Sequence, residues 1–92
     1  MKAVLTVMKK DKDKTTEESL LFDTEKSRKI CDVKNTFGVI VQELYLSPRG
    51  ILFTKDKRPE KLKVPDQDTA KKYVGENYPE TYMEFFGEVK EA

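Results

Sequence analysis

Histidine is absent from this 92-residue chain. With it go the commonest general base and the commonest metal ligand. Cys31 is the single cysteine, so no internal disulfide can form, and its thiol has no imidazole to activate it. A buried place on a helix face explains it better than nucleophilic chemistry. One cysteine without histidine also cannot assemble a zinc site of the usual kind. The four glycines stand alone at 38, 50, 75 and 87, so no glycine-rich phosphate loop is present. No apolar run approaches the ~18 residues of a membrane span. The opening MKAVLTVMKK has too short an apolar stretch, and no small-residue cleavage site, for a signal peptide. These absences lead us to expect a cytoplasmic protein in a reducing compartment, with no catalytic residue, no cofactor and no metal.

What is present is charge, and it is unevenly spread. Charged residues make up 38% and hydrophobic ones 37% of the chain, a balance that fits a folded domain with a heavily charged surface rather than a disordered one. Residues 1–63 carry 15 lysines and arginines against 10 acidic residues, and residues 64–92 carry 3 against 7. A basic amino-terminal part is thus followed by an acidic segment that reads as helical. The length suits one domain, 1–92, with a core of modest size.

The stretch Phe37–Asp56, FGVIVQELYLSPRGILFTKD, carries the strongest structural signal. Two β-rich runs, Val39–Leu46 and Ile51–Lys55, flank Ser47-Pro48-Arg49-Gly50. Pro48 suits position i+1 of a type I turn, and Gly50 the left-handed bulge residue that follows it in a hairpin. That register sets Tyr45 against Phe53, Leu46 against Leu52 and Glu43 against Lys55, which are stabilising cross-strand pairs. Both faces of the hairpin are apolar. Val39, Val41, Tyr45, Ile51 and Phe53 share one, and Ile40, Leu44, Leu46 and Leu52 share the other, so both need covering.

Around it the pattern predicts strands at Ala3–Lys9 and Glu18–Phe22, joined by a long polar loop over Lys10–Glu17. A short helix is expected over about Glu25–Val33, capped by Asp23 or Thr24. Lys61–Val64 reads as an edge strand. Asp66 caps a helix from Gln67 to about Val74, and Pro79 starts a last helix with Tyr82, Phe85, Phe86 and Val89 as its apolar stripe. The expected fold is α+β: an antiparallel sheet of four to five strands in the order β-β-α-β-β-(β)-α-α, with helices packed on it.

Three motif-like stretches dissolve on inspection. Asp11-Lys12-Asp13-Lys14-Thr15 begins like a calcium loop, but Thr16 stands where its glycine belongs and Phe22 where its last carboxylate belongs. Asp66-Gln67-Asp68 is explained as helix capping. Arg49-Gly50-Ile51-Leu52-Phe53 resembles the octamer of RNA-recognition-motif sheets at Arg49, Gly50 and Phe53 only. The remaining candidates are the basic set Arg49, Lys55, Lys57, Arg58, Lys61 and Lys63, for a partner or nucleic acid, and the aromatics Tyr45 and Phe53, as an interface.

The segments LYLSPRGILF and DTAKKYVGENYPETYMEFFGEVKEA resemble small proteins carried by mobile elements and phages of Gram-positive bacteria. The shared features are a tyrosine-bearing strand, a Ser-Pro-basic-Gly turn, and a tail close to Phe-Gly-Glu-Val-Glu-Glu-Ala, from which this chain departs at Lys90. The resemblance implies a common fold and an accessory or host-interaction role, and no enzymatic activity. The expected function is a binding domain that contacts another protein or its own copy, with nucleic acid as the alternative.

Overall fold

The computed structural model describes residues 1–87, and its centre is the expected hairpin. Strands β4 (Ile40–Leu46) and β5 (Leu52–Lys57) pair antiparallel in the bulged register. Tyr45 meets Phe53, Leu46 meets Leu52 and Glu43 meets Lys55. Gly50 closes the turn at φ +81°, a left-handed conformation that glycine adopts without steric cost. The Ser47 hydroxyl accepts from the Ile51 N–H at 3.0 Å, which fixes the strand ends.

The hairpin sits inside a four-stranded antiparallel sheet in sequence order, with β3 (Arg28–Lys34) and β6 (Glu60–Lys63) at its edges. Strands β1 (Lys2–Asp11) and β2 (Lys14–Asp23) form a separate two-stranded sheet. The expected single sheet is therefore two. The expected helix over Glu25–Val33 is corrected as well. Asp23 does cap, accepting from the Glu25 N–H at 3.0 Å, but the helix lasts one 3₁₀ turn, Thr24–Lys26. The chain then runs on as β3, because the free edge of β4 holds unpaired backbone groups that a strand satisfies and a short helix cannot. A bulge between Lys29 and Cys31 lets Ile30 and Cys31 both reach the same core.

The predicted loop over Lys10–Glu17 is also corrected. The ladder continues to Asp11 opposite Lys14, leaving a two-residue turn at Lys12 and Asp13. Strand pairing needs backbone groups, not apolar side chains, so a polar sequence can extend it.

Each face of the central hairpin has its own cover. On one lie α1 (Gln67–Asn77) and α2 (Pro79–Phe86). Ala70 and Val74 pack there with Ile30, Cys31, Leu44 and Leu52, and Tyr82, Phe85 and Phe86 close over them. Val89, expected on the same stripe, lies outside the described residues. On the other face β1 and β2 bring Val7 and Phe22 against Phe53 and Leu62. The rings of Phe22 and Phe53 lie 5.0 Å apart, and Tyr45 stacks on Phe53 at 5.4 Å.

Side chains finish what the strands leave open. The register that sets Thr54 against Lys63 brings Pro65 level with Leu52, and proline has no N–H to offer. The Gln67 carboxamide supplies the missing group. Its oxygen accepts from the Leu52 N–H at 2.7 Å, and its nitrogen donates to the Leu52 carbonyl at 2.8 Å and to that of Pro65 at 3.1 Å. At the β3 edge, the Tyr78 hydroxyl donates to the Asp32 carbonyl at 3.2 Å and the Lys34 N–H donates to the Tyr73 hydroxyl at 3.3 Å. Helix residues thus stand in for neighbouring strands at both sides of the sheet.

Leu52 is fully buried, so removing the Gln67 amide leaves two backbone groups without partners. Gln67→Ala should lower unfolding free energy in urea by about 2–4 kcal/mol, since each orphaned buried group costs ~1–3 kcal/mol. Gln67→Glu should not restore it, because a carboxylate cannot donate to the Leu52 carbonyl. A change within about 0.5 kcal/mol, the usual range for surface substitutions, would rule this coupling out.

Candidate functional site

A four-stranded meander brings alternate turns to one end. The β3–β4 and β5–β6 turns therefore lie together, and the β4–β5 turn lies opposite. This arrangement sorts the candidate residues. Arg49, in the β4–β5 turn, bonds Glu18 at 3.1 Å, and Lys9 pairs with the same carboxylate at 3.3 Å. The Arg49 hydrogen bond, followed by that of Lys9, holds the Glu18 carboxyl below its ordinary value. Arg49 thus ties β2 to the hairpin, away from the other basic residues. Lys63 pairs with Asp56 at 2.9 Å. Lys55, Lys57, Arg58 and Lys61 gather at the two-turn end and form no ion pair among the described residues. Lys61 stands opposite Asp56, and so belongs to the other sheet face from Lys55 and Lys57.

The two interface aromatics are corrected. Phe53 is 0% exposed, and Tyr45 is half-buried against it. Both belong to the core beneath β1–β2.

Exposed apolar side chains lie elsewhere: Val4, Met8 and Leu21 on β1–β2, and a second set at the β3–β4 turn. Phe37 is 88% exposed, Val39 57% and Val41 39%. The turn that carries Phe37 is tightly held. The Asn35 side-chain oxygen accepts from the N–H groups of Phe37 at 2.9 Å and Val39 at 3.1 Å. The Asn35 N–H donates to the Val39 carbonyl at 2.9 Å, and the Gly38 N–H to the Asn35 carbonyl at 3.0 Å. Gly38 takes φ +77°, so the tip needs glycine there. Sequence reasoning missed Phe37. The available signal was a bulky aromatic directly before a turn glycine, where no strand or helix can cover it.

At the same end of the sheet a cavity of about 290 Å³ is lined by Glu43, Lys55, Lys57, Arg58 and Glu60. Glu43 Oε2 is closed off from solvent and accepts no hydrogen bond among the described residues. Asp56 nearby accepts from the Gln42 amide at 2.7 Å. The Lys63 contact first, and this bond second, depress its pKa. A larger cleft, about 540 Å³, opens between α1 and α2 over Gly75, Pro79, Tyr82 and Met83. Its charged rim includes Lys72 and Glu76, paired at 3.9 Å.

Nucleophilic chemistry has no foothold at Cys31, which is 7% exposed. Burial pushes its thiol up to about 11. Among the described residues no three histidine, cysteine or acidic side chains cluster closely enough to hold a metal.

Two outcomes follow for solution work. Folded protein at pH 8 should react with a disulfide reagent at least about a hundredfold more slowly than an unperturbed cysteine, because the thiolate is the reacting form and is suppressed here. Unfolding in urea should release the ordinary rate. Because the folded pKa of Asp56 is depressed, its pairing stabilises the fold above the ordinary carboxylate range and is lost as pH falls through the folded value. Lys63→Ala should move the Asp56 carboxyl resonance midpoint upward in an NMR titration; an unchanged midpoint would contradict the assigned cause.

Comparison with protein-family models, with curated proteins and with solved structures found no match to this chain.

Proposed function

We propose that this chain is a small non-enzymatic binding domain, acting through protein–protein interaction at the two-turn end of its sheet. The observation that carries the reading is Phe37, held 88% exposed by a turn with four hydrogen bonds. An aromatic kept in water costs solvation free energy, and a fixed one loses little entropy on docking, which is how interface anchors work. Val39 and Val41 extend the apolar surface beside it. The resemblance to proteins of Gram-positive mobile elements and phages supports an accessory role, and the lone buried cysteine suits the cytoplasm.

A second reading, nucleic-acid binding, rests on the unpaired cations Lys55, Lys57, Arg58 and Lys61. Glu43 and Glu60 line the same cavity and oppose a phosphate backbone, so we place this reading second.

Phe37→Ser should leave stability within about 0.5 kcal/mol of wild type, as an exposed residue does. Crosslinked capture from host lysate should then retain a partner with wild-type protein and lose it with Phe37→Ser and Val41→Lys. Sedimentation at rising concentration shows whether that partner is a second copy. Identical capture by all three proteins would sink the proposal.

A further inference from the structure

We propose that the segment docking at the two-turn end is an acidic protein segment. In this arrangement its apolar side chains contact Phe37, Val39 and Val41, and its carboxylates meet Lys55, Lys57 and Arg58. The inference rests on the binding reading given above and adds the partner's chemistry.

The placement of charge against apolar surface carries it. In the β4–β5 ladder Glu43 faces Lys55 and Gln42 faces Asp56, and Val41 follows on β4 beyond that last pair. Side chains alternate between faces along a strand, so Glu43, Lys55 and Lys57 share one sheet face, while β4 bulges at Val41, between Ile40 and Gln42. This is the face that β1–β2 covers at Tyr45 and Phe53, but Val41 belongs to neither core cluster. The two-turn end lies beyond that cover. At that end of the sheet, exposed aliphatic side chains of β4 and its turn lie one strand away from cations that have no carboxylate partner among the described residues. Elsewhere, Lys9, Arg49 and Lys63 each meet an acidic side chain within 4 Å. Lys55, Lys57 and Arg58 thus leave positive charge without an ion pair at the end of the sheet that also carries exposed Phe37, Val39 and Val41.

Charge complementarity selects an anionic occupant, and the neighbouring groups favour a peptide over a nucleic acid. Val39 and Val41 offer aliphatic surface, which desolvates against side chains and gives nothing to a phosphodiester. Phe37 alone is not the series of aromatics on which successive bases stack. Glu43 and Glu60, inside the cationic cavity, repel a continuous phosphate backbone. A peptide can space its carboxylates to meet the lysines and bring N–H donors to the glutamates.

The test uses the full chain, immobilised, and a phage library of random 12-residue peptides. A dT20 oligonucleotide runs alongside, and Phe37→Ser and the double variant Lys57→Glu/Arg58→Glu serve as controls. Circular dichroism confirms that both variants fold. Enriched peptides should combine Asp or Glu with aliphatic or aromatic residues. Their synthetic forms should bind both variants at least about tenfold more weakly, and should weaken as salt rises from low to physiological and beyond. Peptides that need Phe37 but are neutral or basic would overturn the acidic partner and leave the binding reading standing. Peptides indifferent to Phe37→Ser would overturn both. Binding of dT20 that depends on Lys57 and Arg58, without peptide enrichment, would make nucleic acid the ligand and overturn the proposal, as would the absence of any binding.

Discussion

A hairpin that is apolar on both faces must be covered twice, and the architecture of this protein follows from that constraint. Leu44 and Leu52 on one face, and Phe53 on the other, are each 0–1% exposed. Each such side chain contributes ~1.5–3 kcal/mol when removed from water. Neither cover is stable alone. A two-stranded hairpin is marginal in water, and helices of 11 and 8 residues are too short to hold without packing. Both layers depend on the hairpin, and the hairpin depends on both.

The two covers are attached by different chemistry. The β1–β2 layer rests on Phe22 against Phe53, with Arg49 and Glu18 fastening its margin. The helical layer reaches the sheet through backbone groups as well as through its apolar stripe. Gln67 pairs with Leu52 where Pro65 cannot, and Tyr73 and Tyr78 occupy the β3 edge. The tyrosines also blunt an edge strand that would otherwise be open to another chain. The functional proposal grows from the same geometry. The β1–β2 cover is centred on Tyr45 and Phe53, and the two-turn end beyond it holds exposed Phe37, Val39 and Val41 together with Lys55, Lys57 and Arg58.

Features set by neighbouring residues were legible in the sequence. The register of β4–β5, the left-handed Gly50, the Asp66 cap and Pro79 at a helix start all follow from chemistry within a few positions. The Asp23 cap was also legible, yet the helix expected beyond it is β3, because the unpaired edge of β4 outweighs local propensity. Pairing across distance was not legible. Glu18 meets Arg49 from 31 positions away, so Arg49 looked free when it is structural. The Gln67 contact with Leu52 follows from a register and a proline taken together, which no local pattern shows. For the site, Lys55, Lys57, Arg58 and Lys61 were visible as a basic run, whereas Phe37 was hidden because an apolar residue beside a strand is expected to be buried.

The central claim is that one hairpin couples both layers into a single cooperative unit, and Phe22→Ala tests it most directly. Phe22 lies on β2, is 1% exposed, and touches the hairpin through Phe53. Losing a buried aromatic of this kind costs about 3–5 kcal/mol. Urea unfolding should be followed through the helical signal at 222 nm and through amide exchange in β1–β2. The account predicts one shared transition, moved to lower urea in both probes by the same amount. A helical transition that keeps its wild-type midpoint while β1–β2 exchanges freely would show that the layers are independent, and would contradict it.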